Sequence, residues 1–143
     1  MILMASCSSK ENKMTFVDTQ DSEFKVGQVW NYKTRAAETN STLTICKVEV
    51  VGKLGKVIHV SIADVKVKSP QNKDGFATKI AHLPFAESAI KQSVSNLVKE
   101  GVALPDYREG YDSWRNAVEG GKGCIWTISV AEAVAAMESV LNK

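Results

Sequence analysis

The chain is predicted to fold as an α+β domain: an antiparallel β-meander of about four strands, then two helices, a fifth strand and a C-terminal helix. Alternating apolar and polar residues, the pattern of half-buried strands, dominate the chain up to Leu83. Apolar residues at spacings of three and four, the pattern of a helix face, follow Pro84. Because hairpin-length loops join the first four strands, we expect antiparallel neighbours, with the helices packed on one sheet face.

The meander strands are assigned to residues 24–35, 41–51, 56–68 and 77–83, where apolar side chains alternate with polar ones. Strand 41–51 has apolar side chains at both parities, so it is expected to be partly buried on both faces or bulged. Turn residues separate them, including a GKLG connection and an SPQNKDG segment. The third strand changes its apolar phase from Ile62 to Val65, which predicts a β-bulge near Ala63 and Asp64. Pro84 is expected to end the fourth strand, since proline gives no N–H to a ladder.

Three helices are predicted after this point. The first begins after Pro84 and ends at Gly101, and its apolar face consists of Ile90, Val94, Leu97 and Val98. The second covers residues 110–119. A last strand at residues 123–129 leads into the third helix, whose start is marked by Ser129 with Glu132 three residues later, a capping box.

Size and composition limit the classes of protein that fit. The chain has 143 residues, 44% of them hydrophobic and 24% charged, as expected for one globular domain with its own core. Its formal net charge of +2 gives no reason to expect a nucleic-acid partner, which requires a clustered basic face. The sequence also carries no glycine-rich phosphate loop after a strand and no metal-binding cysteine spacing, so no cofactor or metal is predicted.

The first nine residues, MILMASCSS, change from apolar to polar at Cys7. Met4, Ala5, Ser6 and Cys7 resemble the end of a bacterial lipoprotein signal peptide, in which small residues precede a cysteine that is lipidated. The resemblance covers only this segment, and the family of the domain is not recognised. It implies lipidation of Cys7, with residues 1–7 a signal remnant, residues 8–23 a polar linker and residues 24–143 a single domain.

The two histidines form the first candidate site. His59 and His82 lie on strands that the predicted turn would pair, and Ser61 lies near them, a set that could hold a nucleophile and its base. The cluster has no local signature of a catalytic site, so we interpret the histidines as structural and assign no catalytic residue. His82 is expected to turn inward and to be neutral near pH 7.

The second candidate is the segment DYREGYDSWR, in and beside a loop before the second helix. Aromatic and arginine side chains are typical of binding surfaces. A possible binding surface therefore comprises Tyr107, Arg108, Tyr111, Trp114 and Arg115. The alternative is that the aromatic residues, at helical spacing, anchor the helix to the sheet.

Cys46 and Cys124 both fall on apolar parities of predicted strands. They could form a disulfide in an oxidising compartment if their strands are neighbours. We favour the alternative of two buried free thiols.

Together these features predict a non-enzymatic cell-envelope lipoprotein, anchored to the outer membrane by lipid and facing the periplasm. It would bind a protein partner or a small ligand, and an inhibitor-like or immunity-like role would fit its size. The alternatives are a small periplasmic enzyme that uses the region of His59 and His82, and a cytosolic protein whose N-terminus only mimics the lipoprotein signal.

Overall fold

The computed structural model describes the backbone of Ala5–Cys7 and, in full, residues 14–143. Residues 1–4 and 8–13, which hold part of the predicted signal segment and of the predicted linker, lie outside the described residues. Strands and helices are numbered in chain order. The described elements are β1 Ala5–Cys7, β2 Phe16–Asp18, β3 Val29–Tyr32, β4 Thr42–Val51, β5 Gly55–Lys68, β6 Phe76–Ala86, α1 Glu87–Ser93, β7 Val94–Lys99, α2 Arg108–Glu119, β8 Cys124–Trp126 and α3 Val130–Leu141.

The fold is mixed α+β, as predicted. The described strands form one sheet in the order β1-β8-β6-β5-β4-β3-β7, and β2 pairs with the far end of β4. All pairings are antiparallel except the single parallel contact between Phe85 of β6 and Trp126 of β8. The predicted phase change in the third meander strand is present, because the β5–β6 register shifts between Ala63 and Val67 and Asp64 has a φ of 58°.

The helices cover both faces of the sheet, so the prediction of one covered face was wrong. The reason lies in β5, whose residues 57–62 are all buried. Ile58, Val60 and Ile62 pack in one core with residues of α1 and α3. Val57 packs on the other face in a second core, with side chains of α2. A strand that is apolar at both parities needs cover on both sides.

The predicted helix up to Gly101 is also wrong in its second half. It stops at Ser93, and Val94 is extended, with ψ 151°. The chain then pairs as β7 with β3, which places Leu97 opposite Trp30. Lys33 donates its N–H to the carbonyl of Ser93, which begins this pairing. Tertiary pairing with an open strand edge therefore overrides a helical periodicity that β-branched valines support only weakly.

Pro84 does not end its strand. β6 continues to Ala86, and Pro84 lies opposite His59 of β5. A proline is tolerated in a strand at a position where the ladder does not require its missing N–H. This continuation keeps β6 beside β5 and brings His82 within reach of the residues of β5.

The C-terminal elements follow the prediction more closely. α2 spans Arg108–Glu119 and directs Tyr111, Trp114 and Val118 into the core. The capping box of α3 is present: Ser129 Oγ accepts from the N–H of Glu132, and Glu132 Oε1 accepts from the N–H of Ser129. Among the described residues, none of the helices combines the length and apolar character that crossing a bilayer requires.

Candidate functional site

The two histidines meet between β5 and β6. His59 Nδ1 lies 2.8 Å from His82 Nε2, and the two rings are stacked with centroids 5.0 Å apart. His59 is fully buried and His82 is partly buried. The antiparallel register of the two strands creates this contact, so the structure brings together the two histidines that the sequence singled out.

A buried carboxylate, which the sequence analysis missed, completes the cluster. Glu49 of β4 is only 1% exposed. Its Oε2 lies 2.8 Å from His59 Nε2, and the hydroxyl of Tyr111 donates to both carboxylate oxygens at 2.9 and 3.0 Å. The sequence did contain a signal, because Glu49 shares its parity with Val51, a core position, and a carboxylate on a buried face needs donors.

We call the hydrogen-bonded series of side chains Tyr111–Glu49–His59–His82 the buried relay. Burial lowers the pKa of His82 to about 3, with the neighbouring His59 as a smaller cause. Burial also lowers the pKa of His59, although Glu49 opposes this effect. Both rings are therefore neutral near pH 7, as the sequence analysis expected for His82.

Neutral rings fix the direction of every hydrogen bond in the buried relay. Burial and the Glu49 carboxylate raise the pKa of Tyr111 to about 12, so the phenol keeps its proton and donates it. Because a carboxylate only accepts, His59 must donate from Nε2 and accept at Nδ1. His82 then donates from Nε2 to His59, and its Nδ1 carries the lone pair.

Helix α2 closes over the buried relay. The ring centroids of Tyr111 and Trp114 lie 4.9 and 4.7 Å from that of His59, in edge contacts. Gly110 lies against His82 so closely that a Cβ at position 110 would come within 2.8 Å of the Cβ of His82. The arrangement can hold a proton in a fixed place. Helix α2 covers Glu49 and His59, whereas His82 is partly exposed.

The predicted aromatic binding surface is corrected by the burial of its rings. Tyr107, Tyr111 and Trp114 belong to the second core, and the indole N–H of Trp114 donates to the carbonyl of Cys124 at 2.7 Å. Arg108 is exposed and Arg115 is partly exposed, and they face Asp112 and Glu119 one turn away at 3.7 Å. Helical spacing of the aromatic residues thus marked a packed face.

Ser61 does not join the histidines. Its hydroxyl donates to the carbonyl of Ala81 and accepts from Cys46 Sγ. Cys46 is a buried free thiol, and burial raises its pKa. Cys124 is disulfide-bonded, so the interpretation of two free thiols was wrong for Cys124, and a Cys46–Cys124 disulfide is excluded as well.

Two surface depressions lie away from the buried relay. One, of about 500 Å³, has Asp64, Lys66, Asp74 and Phe76 among its lining residues. Beside it, Arg35 pairs with both Glu38 at 2.6 Å and Glu138 at 2.8 Å, which ties α3 to the turn before β4. The other, of about 450 Å³, runs along the outer face of α3 and is mainly apolar.

Strand β7 is the end strand of the described sheet, with β3 as its only neighbour in the strand order. Its Leu97 and Val98 are 40% and 44% exposed. An end strand presents unpaired N–H and C=O groups along its outer edge. Here that edge also carries exposed apolar side chains.

Within the described residues no group of three or more histidine, cysteine or acidic side chains is placed to hold a metal ion. No protein-family model, curated protein or solved structure matches the chain. The candidate sites therefore rest on the residues and geometry given above.

Proposed function

We propose that the chain is a non-enzymatic protein-binding domain of the cell envelope, whose partner adds an extended segment to the outer edge of β7. The observation that carries the proposal is the open edge of this strand with Leu97 and Val98 exposed beside it. Strand addition combines backbone hydrogen bonds with pockets for alternate side chains, and it requires an edge of this kind.

The state of the buried relay supports a binding role over a catalytic one. A general base has to reach a proton of the substrate directly or through one water. Glu49 and His59 are sealed in the core, and the lone pair of His59 Nδ1 is already used by His82. The hydrogen bonds of Glu49 and His59 are thus satisfied within the core, as in a structural network.

The binding proposal can be tested by position-dependent photo-crosslinking in the native host. A benzophenone amino acid in place of Val98 is expected to give one discrete product with a foreign polypeptide, identified by mass spectrometry. Adding Leu97→Lys should reduce the yield, because a charge at a strand edge opposes strand addition. A product of twice the mass of this chain would assign β7 to self-association and overturn the proposal.

Val50 provides the matched control. It is 37% exposed, but it lies on β4 between two paired neighbours, opposite Val17 and Lys56. Val50→Lys should leave the crosslink from position 98 unchanged, and a crosslinker at position 50 should capture nothing specific. Equal crosslinking from positions 50 and 98 would contradict a role for the edge of β7.

Two observations support the envelope location, and they are alternatives to each other. One is the lipoprotein-like segment that ends in Cys7, and the other is the disulfide at Cys124, which favours an oxidising compartment. In β1, Cys7 lies opposite Cys124 in register. A sulfur that carries a lipid through a thioether cannot also form a disulfide, so lipidation of Cys7 and a bond between these two cysteines exclude each other.

Detergent phase separation of wild type and Cys7→Ser from the native host decides between them. Lipidation predicts that wild type enters the detergent phase and the variant stays aqueous, with stable anchoring only if several acyl chains are attached. Intact mass before and after reduction adds an independent readout. An aqueous wild type that gains two hydrogens on reduction would contradict the lipid anchor.

A small enzyme that uses His82 is the second candidate, and one observation favours it. The directed relay leaves Nδ1 of His82 as a lone-pair acceptor at the end of a carboxylate–histidine chain, the arrangement that orients a general base. Modification by diethyl pyrocarbonate tests whether solutes reach this atom. Fast modification of His82 in the folded protein would support the enzyme, and protection until unfolding would exclude it.

A further inference from the structure

The outer face of α3 carries an apolar groove that the rest of the chain leaves uncovered. The groove holds about 450 Å³ and is lined along the helix by Ala135, Ala136, Ser139 and Val140, with Glu132 and Lys143 towards its two ends. Val140 is 61% exposed. The opposite face of α3, with Val130, Ala133 and Val134, packs into the core.

The residues of the groove are complementary to themselves when the helix direction is reversed. In an antiparallel pair of α3 helices centred between Met137 and Glu138, three matches occur at once, and symmetry repeats each of them. Glu132 lies opposite Lys143 of the second copy, Ala135 opposite Val140, and Ala136 opposite Ser139.

Each match has a physical reason. Opposite charges meet at both ends, and in the described part of the chain neither Glu132 nor Lys143 forms a salt bridge that would compete. Glu132 does serve the helix cap through Oε1, which leaves Oε2 for a partner. The small side chains of Ala136 and Ser139 let the helices approach closely, and Val140 fills the space beside Ala135.

We propose that a second copy of this chain docks on the groove, forming a two-fold symmetric dimer through antiparallel α3 helices. A two-fold interface uses the same patch on both subunits, and the charge and size matches above meet that requirement. The proposal is independent of the function proposed for β7, because α3 and β7 offer separate surfaces.

The size of the contact sets the expected strength. A helix of 12 residues is about 18 Å long, so one helix pair buries less than a standard interface. We therefore expect a weak dimer, with a Kd between about 1 μM and 1 mM. A lipid anchor would raise the local concentration, but the dimer does not require one.

Sedimentation equilibrium of the purified chain over this concentration range tests the proposal. Wild type should shift from monomer to dimer mass as its concentration rises. Ala136→Arg, at the point of closest approach, should remain monomeric, whereas Ala131→Arg on another side of the same helix should dimerise like wild type. Monomer mass throughout for wild type, or a dimer that survives Ala136→Arg, would overturn the proposal.

Charge reversal tests the antiparallel register itself. Lys143→Glu and Glu132→Lys should each weaken self-association about tenfold, because both ends of the pair then carry like charges. Mixing the two variants should restore the dimer, since a mixed pair matches opposite charges at both ends. Circular dichroism of Glu132→Lys checks the capped helix, and a mixture that stays monomeric while both variants are folded would reject the register.

Discussion

Glu49, His59 and His82 show how three polar side chains are accommodated inside a small domain. Two neutral imidazoles carry no charge to desolvate. His59 donates to Glu49 and accepts from His82, and His82 donates to His59. Glu49 receives donors from two different elements, so its carboxylate is not left unpaired in the core. The residues are therefore stable in the core only as a set.

We predict that His82→Ala lowers the free energy of unfolding by about 1–3 kcal/mol, because it leaves the buried Nδ1 of His59 without its donor. Urea denaturation followed by tryptophan fluorescence measures the change. His82→Gln is the matched control, since its side-chain amide can donate in place of the imidazole and should recover part of the loss. Wild-type stability in His82→Ala would show that the hydrogen bond to His59 contributes nothing.

At the scale of elements, helix α2 is positioned by how closely its first turn approaches β6. Gly110 makes this approach possible, because any larger residue would meet the Cβ of His82. At the other end, the connection that leads to β8 also passes close to α2, since a Cβ on Gly123 would lie 2.6 Å from the backbone nitrogen of Val118. The seal over the buried relay thus depends on two glycines at the ends of α2.

Gly110→Ala should destabilise the domain by about 1–3 kcal/mol, the range for overpacking a filled core. Gly120→Ala is the control, because a Cβ there meets only ordinary contacts at 3.5 Å and its φ is −86°. Thermal unfolding of both variants measures the difference. Equal melting temperatures would mean that α2 can shift away from His82 without cost.

The boundary between α1 and β7 gives a second prediction at this scale. Ile90 is fully buried in the first core, whereas Leu97, predicted from periodicity to be buried, is 40% exposed on an end strand. Ile90→Ala should cost about 2–5 kcal/mol, and Leu97→Ala about 0.5 kcal/mol or less. Denaturation midpoints measure both changes. A large loss of stability in Leu97→Ala would contradict the end strand and indicate that residues 94–99 belong to a buried helix.

For the whole molecule, the buried relay couples the stability of the fold to pH. It connects β4, β5, β6 and α2, so charging it disturbs both the sheet and its cover. Lys47 lies 5.4 Å from the ring centroid of Tyr111 and adds to the cost of a second positive charge near His59. Asp18, which pairs with Lys47 at 2.8 Å, opposes it.

The sign of the pH effect follows from the lowered pKa values. In the unfolded chain both histidines take up protons below about pH 6.5, whereas in the folded chain the pKa of His82 is about 3 and that of His59 is also lowered. The unfolded state therefore binds more protons as the pH falls below 6.5, and stability decreases with falling pH. His82 should contribute a loss of about 2 kcal/mol between pH 7 and pH 5, and the lowered pKa of His59 adds a loss of the same sign.

Urea denaturation at pH 7, 6 and 5 tests this expectation. This pH range lies above the one in which Glu38, the buried partner of Arg35, affects stability. Burial would raise the pKa of Glu38, but hydrogen bonds from Arg35 and from the N–H of Lys66 hold that pKa below its usual value. His82→Gln should lose the part of the pH dependence that His82 contributes, and the part due to His59 should remain. A flat profile in wild type would contradict neutral buried histidines.

Features that depend on neighbours within a few residues could be predicted from the sequence. The mixed α+β class, the phase change at Ala63 and Asp64, the aromatic face of α2 and the capping box at Ser129 were all readable from alternation, helical spacing and capping chemistry. These patterns indicate local backbone geometry, because that geometry depends on side chains that are close in sequence.

Features that depend on partners far along the chain could not be predicted from local patterns. Val94–Lys99 forms a strand because the edge of β3 was open to it, although its residues repeat at helical spacing. Glu49 became the centre of the buried relay because Tyr111, 62 residues later, donates to it across the sheet face. Local patterns carry the preference of a segment, but the hydrogen bonds and burial that outweigh this preference come from residues that only folding brings together.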